Sequence, residues 1–305
     1  MKQNLSPIKQ THFGIARKIV SNMTSESWET IPHAVVTYEP ECTKFMQVVK
    51  ELNKDATKET KLTINSIMLR VIVEGLKVCP ALNAHINFNR ALVRGCVTEF
   101  KEINISMPMM LDTGEMMTIN MHDMHKKSIR EMQNAIKNAA KRANNSDMNE
   151  VMFEVSLDNT LNGLKEGKIK QTICRLIGSK TGKHKVHTLS GAAKKKYYAI
   201  PIEKRLTKHD IEQGTITVSN LGSIYREWDG ICTLLEIIPP QVAAIAIGSI
   251  QDKAIVEKDG TIRAGKKMPL TIAFDHRALD LGDVVPFMKK LDEIFANPEI
   301  IKEWV

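Results

Sequence analysis

Residues 270–280, LTIAFDHRALD, join a short apolar run to a cluster of charged residues. The run Leu270–Phe274 is typical of a buried strand, because apolar residues on both faces of a strand leave no helical period. Asp275 and His276 follow this run, and Asp280 comes four positions after His276, just ahead of a predicted helix. An unperturbed imidazole has a pKa of about 6.5, so near neutral pH it is largely uncharged and able to accept a proton. The stretch therefore predicts a general base at a strand end, with a purely structural histidine as the alternative.

The rest of the chain alternates between helix-type and strand-type patterns. Apolar residues at helical spacing predict helices over residues 9–21, 42–54, 62–78, 128–144 and 282–295. β-branched and apolar runs predict strands over residues 33–38, 103–110, 215–218 and 242–250, and Asp259-Gly260 predicts the turn of a hairpin over residues 254–263. Helices come mainly first and strands mainly later. This order predicts an α+β fold in which helices cover one face of a mixed sheet.

The composition is that of a globular protein. The chain has 305 residues, of which 43% are hydrophobic, and this is enough for a substantial core. The first twenty residues contain no apolar run of signal-peptide length, and no run of about 18 apolar residues occurs. We therefore expect a cytoplasmic protein without a transmembrane segment. The five cysteines form no CxxC pair, so we expect buried free thiols and no metal site.

Three ordered motifs carry a resemblance to a known family. They are TITVSNLGS (215–223), IIPPQVAAIAIGSI (237–250) and LTIAFDHRALD (270–280). In this order and at about this spacing they resemble the catalytic domain of the 2-oxo acid dehydrogenase acyltransferases, the E2 components, which are similar in fold to chloramphenicol acetyltransferase. The segments IARKIV, IPHAVVTYE and LTINSIMLRVIVEGLKVCPALNAHIN add to the resemblance. It covers most of the chain except about residues 151–201.

The resemblance implies an enzyme that moves an acyl group between coenzyme A and a second thiol, such as dihydrolipoamide. His276 matches the base that deprotonates the attacking thiol, and Ser219 matches the hydroxyl that hydrogen-bonds the oxyanion, which needs a donor already aimed at it. Asp280 matches the acid or amide that holds the histidine loop, and Asn220 is expected to support the site. Arg17 is the candidate to pair with Asp280, the alternative being a solvated helix charge. For Ser219 the alternative is a turn serine that bonds its own backbone.

The family also implies an assembly. Its active site lies in a channel between the subunits of a trimer, so we expect a homotrimer or a larger homo-oligomer. We expect residues 1–305 to form a single acyltransferase catalytic domain, with no lipoyl or subunit-binding domain on this chain. Coenzyme A is expected as the acyl-CoA substrate. Lipoyl attachment is not predicted, although Asp252-Lys253-Ala254 copies the tripeptide around a lipoylated lysine.

The sequence departs from the family pattern at two places. Leu281 stands between Asp280 and Gly282, so Asp280 matches the motif less closely than His276 does. The segment LDTGEMMTINM, residues 111–121, is shorter and richer in methionine than its family counterpart, which allows an acyl pocket of different size. Three functions remain: a stand-alone acyltransferase, the core of a dehydrogenase complex with its lipoyl domain on another chain, and a non-catalytic scaffold, which needs neither Ser219 nor His276.

The net charge of +8 is concentrated in one segment. Residues 151–201 show no clean period and are expected to be a basic insertion of short helices and loop. Residues 161–208 hold thirteen Lys or Arg against two Glu, a local charge of +11, whereas the remainder carries −3. Such a segment would attract an anionic partner, such as an acidic carrier domain, the phosphates of coenzyme A or a membrane surface. The alternative is that the segment is a solvated loop without a partner. Nucleic acid is not expected, because no binding motif accompanies the charge.

Overall fold

A computed structural model of the protein describes residues 6–110, 114, 116–165, 167, 169–182, 185 and 187–305. The chain divides into two compact units. Residues 24–141 and 212–305 form one, here called the sheet unit, and residues 1–23 and 142–211 form the other, here called the helical unit. No described helix is both long enough and apolar enough to cross a membrane.

Ten strands occur in the described residues of the sheet unit. They are β1 (His33–Tyr38), β2 (Ala84–Asn89), β3 (Arg94–Glu99), β4 (Ile105–Met110), β5 (Met116–Met121), β6 (Ile216–Asn220), β7 (Ala243–Ile247), β8 (Gln251–Val256), β9 (Ile262–Lys267) and β10 (Leu270–Asp275). Six of them make one mixed sheet in the order β1-β10-β7-β6-β4-β5. The strands β6 and β7 pair in parallel, as do β4 and β6, and the outer pairs are antiparallel. The predicted mixed sheet is confirmed.

The centre of the sheet is apolar on both faces. All residues of β7 and β10 are buried, as the continuous apolar runs predicted. The first strand, β1, pairs with β10 along its whole length, from His33 opposite Asp275 to Tyr38 opposite Leu270. The predicted strand bounds are therefore confirmed for β1 and nearly so for β10, whereas β7 is shorter than the predicted 242–250 because residues 248–250 leave the ladder.

Helices pack beside this sheet. They are α2 (Thr43–Leu52), α3 (Ile64–Val78), α8 (Leu281–Ala296) and most of α4 (Ile129–Asn144), all close to their predicted bounds. The hydroxyl of Thr63 caps α3 by accepting from the Ser66 amide at 3.2 Å. Gly75 of α3 lets α8 approach, since a Cβ there would lie 2.6 Å from the Phe287 ring. The first helix, α1 (Ile15–Thr30), begins and ends later than the predicted 9–21.

Two hairpins lie outside the six-stranded sheet. The pair β8 and β9 turns through residues 257–261 and confirms the predicted Asp259-Gly260 hairpin, where Gly260 adopts a φ of +85°. The pair β2 and β3 was not predicted. All six residues of β3 are exposed, so its sequence carries no apolar alternation. The edge strand β5 was also missed, within the segment 111–121 of which residues 111–113 and 115 lie outside the described residues.

The helical unit contains most of the predicted basic insertion. Its helices are α5 (Met148–Lys165), α6 (Ile169–Lys180) and α7 (Gly191–Tyr198). The prediction of short helices is wrong for α5, which is 18 residues long. The unit is tied together by Arg142, whose guanidinium meets both oxygens of Asp210 at 2.7 Å. Both side chains are largely buried, so this is a strong bidentate pair.

Candidate active site

His276 stands at the point where the buried strand β10 ends. Its backbone amide donates to the Pro32 carbonyl at 3.0 Å, which ties the residue to the start of β1. The imidazole Nδ1 lies 3.3 Å from Asp280 Oδ1, and the His276 side chain is 55% exposed. A half-exposed imidazole beside a carboxylate is free to meet a substrate while the carboxylate favours one ring orientation. The structure thus brings His276 and Asp280 together.

The loop that carries His276 is fixed by its two neighbours. Arg277 donates from Nε and Nη2 to the carboxylate of Asp275, with the Nη2–Oδ2 contact at 2.6 Å, and its backbone amide donates to the same carboxylate. The Asp275 side chain is fully buried. The backbone carbonyl of Asp275 also accepts from Ala278 and Leu279. Sequence reasoning singled out His276 and missed this ion pair, whose signal was a charged residue at the end of an apolar run.

Asp280 is the residue that starts α8. Its backbone amide donates to the carboxylate of Asp283 at 2.8 Å, in a capping box across the first helical turn. Leu281 is therefore the first helical residue, and Gly282 lies within the helix rather than in the turn before it. The insertion of Leu281 relative to the family motif is absorbed by the helix. It leaves the Asp280 carboxylate facing His276.

Ser219 lies inside strand β6 and not in a turn. The strand holds it between β4 and β7, where it stands opposite Ala246, and the side chain is only half-buried. Within the described part of the chain no protein group hydrogen-bonds its hydroxyl. Ser223 makes the turn-type bonds instead, with its hydroxyl donating to the Asn220 carbonyl at 2.7 Å. The Ser219 hydroxyl is thus available to a ligand.

Asn220 follows Ser219 and is the last residue of β6. Its Nδ2 donates to Asn65 Oδ1 at 2.9 Å, and its Oδ1 accepts from the Ser223 amide at 3.0 Å. Asn65 belongs to the first turn of α3, so this bond ties the end of β6 to a helix. Sequence reasoning missed Asn65, because nothing in a single sequence relates residues 155 positions apart.

A cavity of about 310 Å³ opens beside Asn220. Its walls are mainly thioethers and other apolar groups, together with three polar side chains. The described lining residues are Asn65, Met107, Pro108, Met109, Met110, Met116, Ile136, Asn220, Ser223 and Ile224. Methionine side chains adapt to the shape of what they contact, so the cavity suits an apolar group of variable form.

One chain does not bring Ser219 and His276 together. Ser219 stands opposite Ala246 of β7, and Ala246 stands opposite Thr271 of β10. His276 lies five residues beyond Thr271 and two strands away from Ser219. At about 3.3 Å per residue and about 4.8 Å per strand, their Cα atoms are roughly 19 Å apart. The two predicted catalytic side chains therefore lie at opposite ends of the same sheet.

The PPQ motif has a structural role near this site. Gln241 is fully buried, and its Nε2 donates to the Gly214 carbonyl at 2.8 Å while its Oε1 accepts from the Thr217 hydroxyl at 2.6 Å. Nε2 also reaches Ser106 Oγ at 3.4 Å. One side chain thus links β4, β6 and the segment before β7. This explains why the glutamine accompanies the serine motif in the sequence.

The remaining predicted residues lie elsewhere. Arg17 is exposed on the first turn of α1 and belongs to the helical unit, so its pairing with Asp280 stays a prediction. Lys253 lies in β8 with its ammonium 3.7 Å from Asp229.

The expected burial of the free thiols is confirmed for Cys42 and Cys79, and burial raises the pKa of Cys42 to about 12. It is wrong for Cys96 and Cys174, which are exposed on β3 and α6.

The family model for the 2-oxoacid dehydrogenases acyltransferase (catalytic domain) matches residues 6–156 and 188–302. The dihydrolipoyllysine-residue acetyltransferase component of the pyruvate dehydrogenase complex of Rickettsia prowazekii is 22% identical over 288 residues, which are 93% of this chain and 53% of that protein. The chain spans about half the length of the curated relatives it matches.

Solved structures agree with this match at the level of the fold. The cubic core of a pyruvate dehydrogenase multienzyme complex superposes with a TM-score of 0.66 at 16% identity, covering 98% of this chain and 96% of that one. A probable dihydrolipoamide acetyltransferase from Listeria monocytogenes gives 0.64 at 20% identity, covering 94% of each chain. The sequence motifs and the mixed sheet agree with the family model, which matches most of the chain. The chain therefore belongs to the family of 2-oxoacid dehydrogenases acyltransferase catalytic domains.

Proposed function

We propose that this protein transfers an acyl group between coenzyme A and a second thiol of the dihydrolipoamide type. The observation that carries the proposal is His276, half exposed at the end of a buried strand with Asp280 at 3.3 Å, in a chain that belongs to an acyltransferase family. The related proteins named above are acetyltransferase components that act on a dihydrolipoyllysine residue. Asn220 and Arg17 are proposed as supporting residues.

In the proposed reaction, His276 takes the proton of the attacking thiol. The thiolate forms a bond to the thioester carbonyl carbon, and the negative charge that develops on the carbonyl oxygen accepts a hydrogen bond from Ser219. Such a donor contributes about 3–4 kcal/mol when it is aimed at the oxyanion in advance. Collapse of the tetrahedral intermediate breaks the original carbon–sulfur bond, and the leaving thiolate takes the proton back from the imidazolium.

The register of the sheet supports a site shared between subunits. Ser219 and His276 of one chain are roughly 19 Å apart, so no single carbonyl group can touch both of them. We propose that His276 of one subunit meets Ser219 of a neighbouring subunit, in a homotrimer or larger closed assembly. The half-exposed His276 ring and the unpaired Ser219 hydroxyl are the two surfaces that such a contact would bring together.

The methionine-lined cavity is the proposed place for the acyl chain. It adjoins Asn220, the residue after Ser219, and its volume of about 310 Å³ exceeds what an acetyl group fills. The proposed acyl groups are therefore larger than acetyl. A lipoyl or other acidic carrier domain is the proposed second partner, and the +11 charge of residues 161–208 supports an anionic one. The proposed compartment is the cytoplasm, where free thiols such as the exposed Cys96 and Cys174 stay reduced.

The test is a panel of acyl-CoA thioesters from acetyl to hexanoyl, each incubated with free dihydrolipoamide. The wild type is compared with His276→Ala and with His187→Ala, which removes an exposed histidine of the helical unit. We expect turnover by the wild type and by His187→Ala. Loss of a general base typically costs about 10²–10⁴-fold, so His276→Ala should fall by that factor.

The outcomes separate the candidate functions. Transfer to dihydrolipoamide favours the core of a dehydrogenase complex, and turnover only with another acceptor favours a stand-alone acyltransferase. Absence of turnover with every thioester and acceptor would contradict the proposal and favour a scaffold. Equal activity of His276→Ala and the wild type would reject His276 as the base.

A further inference from the structure

An exposed apolar stripe runs along α5 and α6 in the helical unit. It consists of six aliphatic side chains, each between 45% and 58% exposed, namely Leu157, Leu161, Leu164, Ile169, Ile173 and Ile177. Residues three or four positions apart share one face of a helix, so each helix presents three of them in a row. Soluble monomers rarely expose a contiguous apolar surface of this kind, and one that exists marks an interaction site.

This stripe belongs to a part of the chain that the family model leaves out. The two matched segments end at residue 156 and resume at residue 188, so residues 157–187 lie outside the sequence that the family model matches. Within the helical unit the two helices pack closely, since a Cβ added at Gly163 of α5 would lie 2.8 Å from Thr172 Oγ1 of α6. The family match therefore does not account for most of the apolar stripe.

The charge of residues 157–187 is mainly positive. Residues 157–187 contain seven Lys or Arg against two acidic residues, and one of the latter, Asp158, already pairs with Lys208 at 2.6 Å. Lys165 and Lys170 are exposed and flank the stripe on its two helices. Long Lys side chains beside an apolar face can lie along it while their ammonium groups reach outward.

From this pattern we propose that residues 157–187 bind the surface of an anionic lipid bilayer, with the apolar stripe at the acyl boundary and the lysines at the headgroups. Interfacial helices combine aliphatic residues on one face with Lys and Arg beside them, and they bind through apolar burial plus attraction to anionic lipid. The segment holds no aromatic residue, whereas protein–protein hot spots are enriched in Trp and Tyr. A second copy of the segment would bring like charges together.

The experiment is sedimentation of the full chain with vesicles of phosphatidylglycerol and phosphatidylcholine, or of phosphatidylcholine alone. The wild type should sediment only with the anionic vesicles. Raising the salt from about 0.1 M to about 1 M shortens the screening length from about 10 Å to about 3 Å, so binding should weaken. The variant Leu161→Gln/Ile173→Gln should bind roughly tenfold or more weakly, because two aliphatic side chains no longer enter the apolar layer.

Matched variants test the two contributions separately. Val256→Gln/Ile262→Gln removes two more exposed aliphatic residues, on the β8–β9 hairpin, and should bind as the wild type does. Lys165→Gln/Lys170→Gln/Arg175→Gln should weaken binding to anionic vesicles. Removing three exposed lysines of the sheet unit, in Lys54→Gln/Lys58→Gln/Lys258→Gln, should weaken it less. Far-UV circular dichroism checks that each variant is folded.

Several results would overturn the proposal. One is a wild type that stays in the supernatant with both kinds of vesicle, and another is equal binding by Leu161→Gln/Ile173→Gln. If that variant instead abolished concentration-dependent growth of the oligomer, the stripe would be a contact between copies of the chain. If it abolished binding to an acidic lipoyl domain while leaving vesicle binding intact, the partner would be a protein. The vesicle assay does not measure thioester turnover. The lipid-binding proposal is therefore tested independently of the proposed acyltransferase activity.

Discussion

Arg277 donates from two nitrogens to the fully buried carboxylate of Asp275. These two residues are the neighbours of His276 in the sequence, one on each side. Burial leaves Asp275 without water, so the guanidinium is its main cationic partner. The loop that presents His276 is thus fixed by residues that do not themselves meet the proposed substrate. Their effect on activity would come through the position of the imidazole.

The first prediction concerns this ion pair. Arg277→Met should destabilise the sheet unit by about 3 kcal/mol, because it leaves a buried carboxylate uncompensated. It should also lower kcat with little change in KM, since the variant alters the proposed base and not the binding surface. Urea unfolding and steady-state kinetics measure the two effects. Lys290→Met, which removes a surface pair with Glu293, should change stability by less than about 1 kcal/mol.

The second prediction follows from the sheet register. Ser219→Ala should lower kcat by about 10²–10³-fold if its hydroxyl is an oxyanion donor. Mixed oligomers of Ser219→Ala and His276→Ala chains should regain activity, because some interfaces then combine an intact Ser219 with an intact His276. Random assortment in a ring predicts about a quarter of the wild-type sites.

The control for that experiment mixes His276→Ala with the double variant Ser219→Ala/His276→Ala, which restores no intact interface. Refolding the chains together and measuring thioester turnover supplies the comparison. A mixture that stays as inactive as its components would place the two residues in separate sites.

The third prediction concerns the methionine-lined cavity. Met109→Trp should fill part of it and lower kcat/KM for butyryl- and hexanoyl-CoA relative to acetyl-CoA, roughly tenfold, since a single methylene is worth about 10–200-fold in such pockets. Acetyl-CoA turnover in the same variant is the internal control. An unchanged ratio of the two specificity constants would place the acyl chain elsewhere.

The fourth prediction concerns the buried glutamine of the PPQ motif. Gln241→Leu leaves the Thr217 hydroxyl without its acceptor and removes one of two partners of the Gly214 carbonyl, the other being His85 Nε2 at 3.0 Å. The lost bonds should cost about 2–3 kcal/mol in the free energy of unfolding. Gln47→Leu on the exposed side of α2 should cost less than about 0.5 kcal/mol in the same urea titration.

The fifth prediction is a pH dependence in the helical unit. Burial alone would raise the pKa of Asp210, but the bonds from the Thr207 backbone and from Arg142 outweigh it and hold the pKa below its usual value. The unfolded chain therefore binds the proton first as pH falls. The carboxylate's contribution is complete above the unfolded pKa of about 3.9 and is lost as pH falls through the lower folded pKa.

Asp210→Asn should accordingly cost about 3 kcal/mol at neutral pH, and its deficit relative to the wild type should shrink below about pH 4. Urea unfolding followed from about pH 7 to about pH 3 measures the difference. Asp229→Asn, at an exposed side chain, should change stability by less than about 0.5 kcal/mol throughout. A constant deficit for Asp210→Asn would contradict the assigned cause.

The sequence predicted the central strands well, because short continuous apolar runs of this kind are typical of strands buried on both faces. It also predicted that His276 and Asp280 lie close together, since they are only four positions apart along the chain. It did not predict β3, whose six residues are all exposed, or the bond between Asn220 and Asn65, which joins distant parts of the chain. The distance between Ser219 and His276 depends on strand order and register, and no local pattern encodes either of these.

The pairing of β1 with β10 sets a limit on how the protein can be made. His33 meets Asp275 only after the 241 residues between them have been synthesised, so β10 enters the sheet between β1 and β7 after every other strand of that sheet has been made. Until then β1 and β7 each offer an open hydrogen-bonding edge of apolar residues, the kind of edge that recruits foreign strands. Non-local closure of this type slows folding. Until residues 270–275 are synthesised, β1 and β7 of the growing chain therefore lack the strand that pairs with both of them.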